Sequence, residues 1–255
     1  MDTATKEGKY IYCVMDSSQP QSFGPLGIGG RGDQLHMVCF NDISAVVSDA
    51  PTKKYRVSRE NSLAHEKAIE KVMSEHTVLP VRFATIAEDD EEVQRILQAE
   101  YDRFRELLSQ MKDKTELGVK AIFKEEVIYK DILEKYEDIK VLKEKIATLV
   151  PEKSHYQRME IGRMVEEALQ GEKQIISEDI LNTLSPLAVE VRTNDTYGDM
   201  MIINAAFLVE KEKEAGFDHQ VQELGNKYGE KVNFKYVWSL PPFNFVNLVI
   251  ETGKY

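Results

Sequence analysis

Two apolar, strand-like runs in this chain carry proline where an interior β-strand has no room for it. They are Thr77-Val78-Leu79-Pro80-Val81-Arg82-Phe83-Ala84-Thr85 and Leu240-Pro241-Pro242-Phe243-Asn244-Phe245. Proline offers no N–H to a ladder, so each run must lie at a sheet edge, at a bulge or at a strand terminus. Pro80, Pro241 and Pro242 are therefore read as structural residues. In the first run, Arg82 points away from the side carrying Leu79, Val81 and Phe83. It is expected to pair with a carboxylate, and Glu116 is the candidate.

Around these runs the pattern is α+β in two domains. Tyr10 to Met15 reads as a strand, and Leu35 to Phe40 with Ile43 to Ser48 reads as a hairpin across Asn41-Asp42. A helix from Ser58 to Ser74 puts His65, Ala68, Ile69 and Val72 on one stripe. A second helix starts at the acidic run Glu88 to Glu92, with the stripe Val93, Leu97, Tyr101, Phe104, Leu108 and Met111. This N-terminal α+β domain is expected to cover residues 1–113.

From residue 114 to 255 the order becomes strand (Leu117 to Phe123), helical region, hairpin (Leu187 to Thr193 with Met200 to Val209), helix, strand (Val232 to Trp238). That order defines a ferredoxin-like split β-α-β domain with a helical insertion at about 125–182 and a Pro-Pro aromatic tail. Met200 to Val209 is apolar on both sides, whereas Val232, Phe234, Tyr236 and Trp238 alternate with polar residues. Helices cover one face of such a sheet, so a spare apolar face near Ile203 and Phe207 is expected to meet a partner. In the insertion, Ile132, Ile139, Leu142, Ile146 and Leu149 step by threes, fours and one heptad, too short a series for a coiled coil, so a helical hairpin is expected.

The chain has 33 Lys and Arg against 44 Asp and Glu, a net charge of −11, which argues against nucleic acid and against an anionic lipid membrane as partners. Its two cysteines, Cys13 and Cys39, lie in apolar runs and read as buried thiols. Met1 to Lys6 lacks the apolar core of a signal peptide. Gly27-Ile28-Gly29-Gly30-Arg31-Gly32 has the spacing of a dinucleotide fingerprint, but strand-like residues rather than a helix come after it, so it reads as a flexible loop. The five histidines show no metal-ligand spacing, and His65 reads as a core histidine donating to a carbonyl or carboxylate. No catalytic motif, cofactor site or metal site is expected. Trp238, Phe243 and Phe245 flank the tail prolines and suit an aromatic anchor for another protein.

The V-L-P-V-R-F segment at Val78 to Phe83, the P-P-F-x-F ending, Gly8-Lys9-Tyr10-Ile11-Tyr12, His65 and Glu116-Leu117-Gly118-Val119-Lys120 together resemble the gas vesicle protein F/L family. The resemblance runs from Gly8 to Phe245, with Ala84 where the family often has glycine and Phe243 where it often has tyrosine. Ala84 suggests that no positive-φ backbone is needed there. The resemblance implies a non-enzymatic accessory protein, cytoplasmic before it joins the gas vesicle. It implies a minor component that binds the hydrophobic shell subunit, and other accessory proteins, and assists nucleation by preventing aggregation. Two other readings stand beside it. One is a ferredoxin-like small-molecule-binding module or weak enzyme. The other is self-assembly through the inserted helices.

Overall fold

The computed structural model describes residues 6–148 and 155–254. Leu149 of the insertion series and the segment Met1 to Thr5 lie outside them. The chain divides into two compact units, one running to Glu116 and resuming at Ser239, the other Leu117–Trp238. The tail, expected to close the second domain, thus belongs with the first unit.

In the first unit, β1 (Glu7–Met15), β2 (His36–Phe40), β3 (Ile43–Pro51) and β4 (Val78–Pro80) form a sheet in the order β2-β3-β1-β4, and β5 (Ile86–Ala87) also pairs with β1. All these pairings are antiparallel. β1 is central, and every residue from Tyr10 to Met15 is buried. Its register with β3 shifts between Ile11 and Cys13, so Tyr12 sits in a bulge. β4 is the edge that its proline requires. Val81 N donates to Tyr12 O at 2.9 Å, directly after the residue that cannot donate.

Helix α1 (Arg59–Met73) starts at Ser58, whose hydroxyl accepts from Asn61 N, and it buries His65, Ala68, Ile69 and Val72. These apolar side chains join Tyr10, Tyr12 and Val46 in one core. Helices α2 (Asp90–Ala99) and α3 (Tyr101–Met111) pack against β2, β3 and β4 and bury Val93, Leu97, Phe104 and Leu108 outside that core. The stripe predicts one helix here, and the structure has two. Glu100 leaves the helical conformation at φ −102° and ψ 12°. The amphipathic spacing survives the break because a single residue turns the axis without moving the apolar face.

The glycine-rich loop leads into β2 rather than a helix, and Arg31 fastens it to Glu7 and Asp33. Ile28 is buried within it and donates its N–H to Tyr12 Oη at 2.7 Å. Ala84 corrects the reading of its position: it adopts φ +66° and donates its N–H to Tyr10 Oη at 2.9 Å. The positive φ is required after all, and alanine bears the strain.

The second sheet has the order β7-β8-β6-β9, built from β6 (Lys114–Phe123), β7 (Glu190–Thr193), β8 (Met201–Glu210) and β9 (Val232–Leu240). Between β6 and β7 stand α4 (Glu125–Lys135), α5 (Glu137–Ala147) and α6 (His155–Leu184); α7 (Glu214–Tyr228) joins β8 to β9. The architecture is therefore mixed α/β, with two antiparallel sheets and seven helices among the described residues. Helices α4 and α5 pack on α6. Leu117, Val119, Ala121 and Phe123 of β6 join Ile203, Phe207 and Val209 of β8 under Phe217, Val221 and Leu224 of α7. Among the described residues, no helix is long and apolar enough to cross a membrane.

Candidate functional site

The proline-rich closing segment makes a distinct site within the first unit. Pro241 and Pro242 are buried and start a tight turn in which Val246 N donates to Pro242 O at 2.8 Å. Two buried carboxylates hold the backbone on from that turn. Glu116 accepts from Asn244 N at 2.9 Å and from Asn244 Nδ2 at 2.6 Å. Glu92 accepts from Gly253 N with one oxygen and from Glu88 N with the other, while its own N–H donates to the α2 cap, Asp89. Between these clasps, Leu248 forms a parallel bridge with Val81 and accepts from Arg82 N at 3.2 Å. The segment thus covers the sheet edge exposed beyond Pro80.

Beneath it lies His65, which is 4% exposed. Its Nε2 lies 3.1 Å from Val81 O, and its Nδ1 lies 3.1 Å from Tyr10 Oη. Only a donating Nε2 satisfies the carbonyl, so Nδ1 accepts from the tyrosine hydroxyl. The chain of bonds runs from Ala84 N through Tyr10 to His65 and ends on Val81 O. Burial pushes the His65 pKa down to about 4, with the hydrogen bond to the Val81 carbonyl acting in the opposite direction. Burial also raises the Glu116 carboxyl, partly offset by the two Asn244 donors. Phe243 lies over this network, its ring centroid 6.3 Å from that of His65. Here the closing segment and the Pro80–Phe83 strand end enclose a cleft of about 400 Å³.

The residues singled out in the sequence separate into two sets. His65, Pro80, Arg82 and Phe243 line the cleft, and Glu116, Pro241, Pro242 and the half-buried Phe245 hold or belong to the segment beside it. Ile203 and Phe207 do not lie on a spare face. Phe207 is fully buried, 5.1 Å from Phe217 of α7 between ring centroids, and Ile203 is 5% exposed in the same core. The face expected to be spare is the helix-covered one, and the other face of β8, with Ile202, Ala206 and Leu208, is buried too. Trp238 breaks the inward alternation of β9 and is 68% exposed.

The expected Arg82–Glu116 pair is absent. Glu116 is engaged by Asn244, and Arg82 is exposed with no ion-pair partner among the described residues. Sequence reasoning missed Asn244 and Glu92. The Asp89-x-x-Glu92 spacing does mark a capping box, but nothing local announces a partner as distant as Gly253.

The profile of the family described as gas vesicle synthesis protein GvpL/GvpF matches residues 8–247, and the chain belongs to that family. Among its curated relatives, gas vesicle protein F of Dolichospermum flosaquae is 26% identical over 94% of this chain and 97% of its own length. Gas vesicle protein F of Streptomyces sp. strain CB03234 is 28% identical over 93% of this chain and 98% of its own. The crystal structure of GvpF from Anabaena sp. PCC7120 superposes with a TM-score of 0.80 at 26% identity, covering 95% of this chain and 99% of that one. GvpF from Microcystis aeruginosa gives 0.75 at 26% identity, covering 94% of this chain and 99% of that one.

Proposed function

We propose that this protein is a gas vesicle accessory protein, a minor component that binds the hydrophobic shell subunit and keeps it from aggregating while the vesicle nucleates. It is cytoplasmic before incorporation, works alongside other accessory proteins and turns nothing over. We also read Leu117–Trp238 as a ferredoxin-like domain with a helical insertion. The sheet order β7-β8-β6-β9, with its two helical crossovers, supports that reading.

One observation carries the functional reading beyond family membership. The closing segment is clasped at both ends, yet Phe243 is 42% exposed at the rim of an apolar cleft. A half-open aromatic on a fixed backbone is the kind of anchor that dominates interface energetics, because little entropy is lost in ordering it. Net charge keeps the loaded protein in solution. The test is capture of tagged shell subunit by the wild-type chain and by a Phe243→Ala/Phe245→Ala variant, with circular dichroism to check the fold. The expected result is capture by wild type and at least a tenfold loss in the folded variant. Full-strength capture by that variant would remove the segment from the interface.

A further inference from the structure

The cleft beside Phe243 carries more information than an apolar anchor needs. Its inner wall is made by the His65 and Phe83 rings, its tail side by Val246 and Val249, and its rim by Phe243 and Arg82. Both nitrogens of His65 are already committed, to Tyr10 and Val81. The wall therefore presents a ring face rather than a hydrogen-bonding edge. The polar side chains left at the cleft are the Arg82 guanidinium and the Asn247 amide, both exposed. Arg82 has no carboxylate partner among the described residues, in a chain whose net charge is −11. Among the described residues, Arg82 is the one lysine or arginine lining this cleft, so its guanidinium fixes where an anionic group settles within it.

Resting on the proposal that the closing segment faces a partner, we infer that this cleft recognises a protein segment in which an apolar side chain stands next to an Asp or Glu. The apolar side chain enters the cleft alongside the His65, Phe83 and Phe243 rings, and the carboxylate takes the Arg82 guanidinium in a charge-assisted pair. The volume of about 400 Å³ holds one large side chain with its flanking backbone. A pocket built for a free small molecule surrounds it with convergent polar groups. The polar side chains of this cleft, Arg82 and Asn247, are both exposed, which suits a side chain delivered by a chain that remains in solvent.

The test uses short fluorescein-labelled peptides with a central Leu-Asp, Leu-Asn or Ser-Asp pair, read by fluorescence anisotropy against the whole protein. Leu-Asp is expected to bind about tenfold more tightly than either relative, a difference of about 1.4 kcal/mol. Arg82→Gln, at an exposed position, should leave the melting temperature unchanged and bring Leu-Asp down to the level of Leu-Asn. Equal binding of all three peptides, or an Asp preference that survives Arg82→Gln, would overturn the inference. So would phenylacetate displacing the peptide at equal affinity, which would assign the cleft to a free acid. Capture of the shell subunit without peptide selectivity would sink this inference and leave the proposed function standing. Peptide selectivity without capture would do the reverse.

Discussion

Strand β8 and the closing segment after Ser239 both offer large apolar side chains, and the protein treats them oppositely. In β8, eight consecutive residues from Ile202 to Val209 are buried, and Phe207 lies against α7. In the closing segment, buried Pro242, Val246 and Leu248 are interleaved with exposed Phe243, Asn247 and Val249. A strand apolar on both faces is satisfied by being central. A segment held by two carboxylates and one bridge cannot turn every side chain inward, because its backbone path is set by the clasps and by two prolines. Exposure of an aromatic is thus a consequence of how its backbone is fastened rather than of how apolar its neighbours are.

The sharpest way to break this contrast is to truncate one phenylalanine in each region. Phe207→Ala should cost about 3–5 kcal/mol, as loss of a fully buried ring does. Phe243→Ala should cost less, about 1–2 kcal/mol, since its ring is 42% exposed and gains only part of the free energy of full burial. Urea denaturation of both variants measures the pair, and similar costs would erase the distinction.

Acid should find the next weakness. His65 is buried neutral, with its pKa lowered to about 4 from an ordinary 6.5. The unfolded chain takes up a proton below pH 6.5 that the folded chain refuses until about pH 4. Its contribution is therefore intact above pH 6.5 and is lost as pH falls through that window, amounting to about 3 kcal/mol. His65→Gln, which does not titrate, should flatten the wild-type fall in stability between pH 6.5 and 4. An unchanged slope in melting temperature against pH would contradict the buried-neutral assignment.

A smaller, local effect is expected at the clasp. Glu116→Ala removes both acceptors of Asn244 and should weaken the hold by about 1–2 kcal/mol, the value of a hydrogen-bonded buried carboxylate after the exposed amide turns to water. Limited proteolysis should then cut near residue 244 while the β1–β3 core stays protected. The smallest effect belongs to Ala84. Replacing it by glycine relieves the positive φ but loosens the unfolded chain, so the two terms leave less than about 1 kcal/mol. Ala84→Val should instead lower the melting temperature clearly, because a β-branched residue fits that backbone poorly.

Much of this architecture is legible in the residues. The α1 stripe of His65, Ala68, Ile69 and Val72 is the buried face observed, because a helix on a sheet has one side to hide. Pro80 correctly implies an edge. What escapes is long-range. Alternation marks β8 as apolar on two faces but cannot say which face α7 covers, so it puts Phe207 on the wrong one. Charge alone matches Glu116 to Arg82, whereas burial favours an amide donor that leaves no second ion to desolvate. Chain order joins the tail to the strand preceding it, and only the reach of Asn244 and Gly253 to Glu116 and Glu92 puts it in the first unit. Ala84 stands where glycine is the easier residue, and the backbone there is held by Tyr10 Oη regardless.

Hydrogen–deuterium exchange of the whole protein, alone and with shell subunit, bears most directly on the central claim that the fastened segment is the partner-facing surface. New protection confined to residues 241–250 and the Pro80–Phe83 strand end, with β8 equally slow in both samples, is the predicted result. Protection arising in the α4–α6 insertion, with residues 241–250 unchanged, would contradict it.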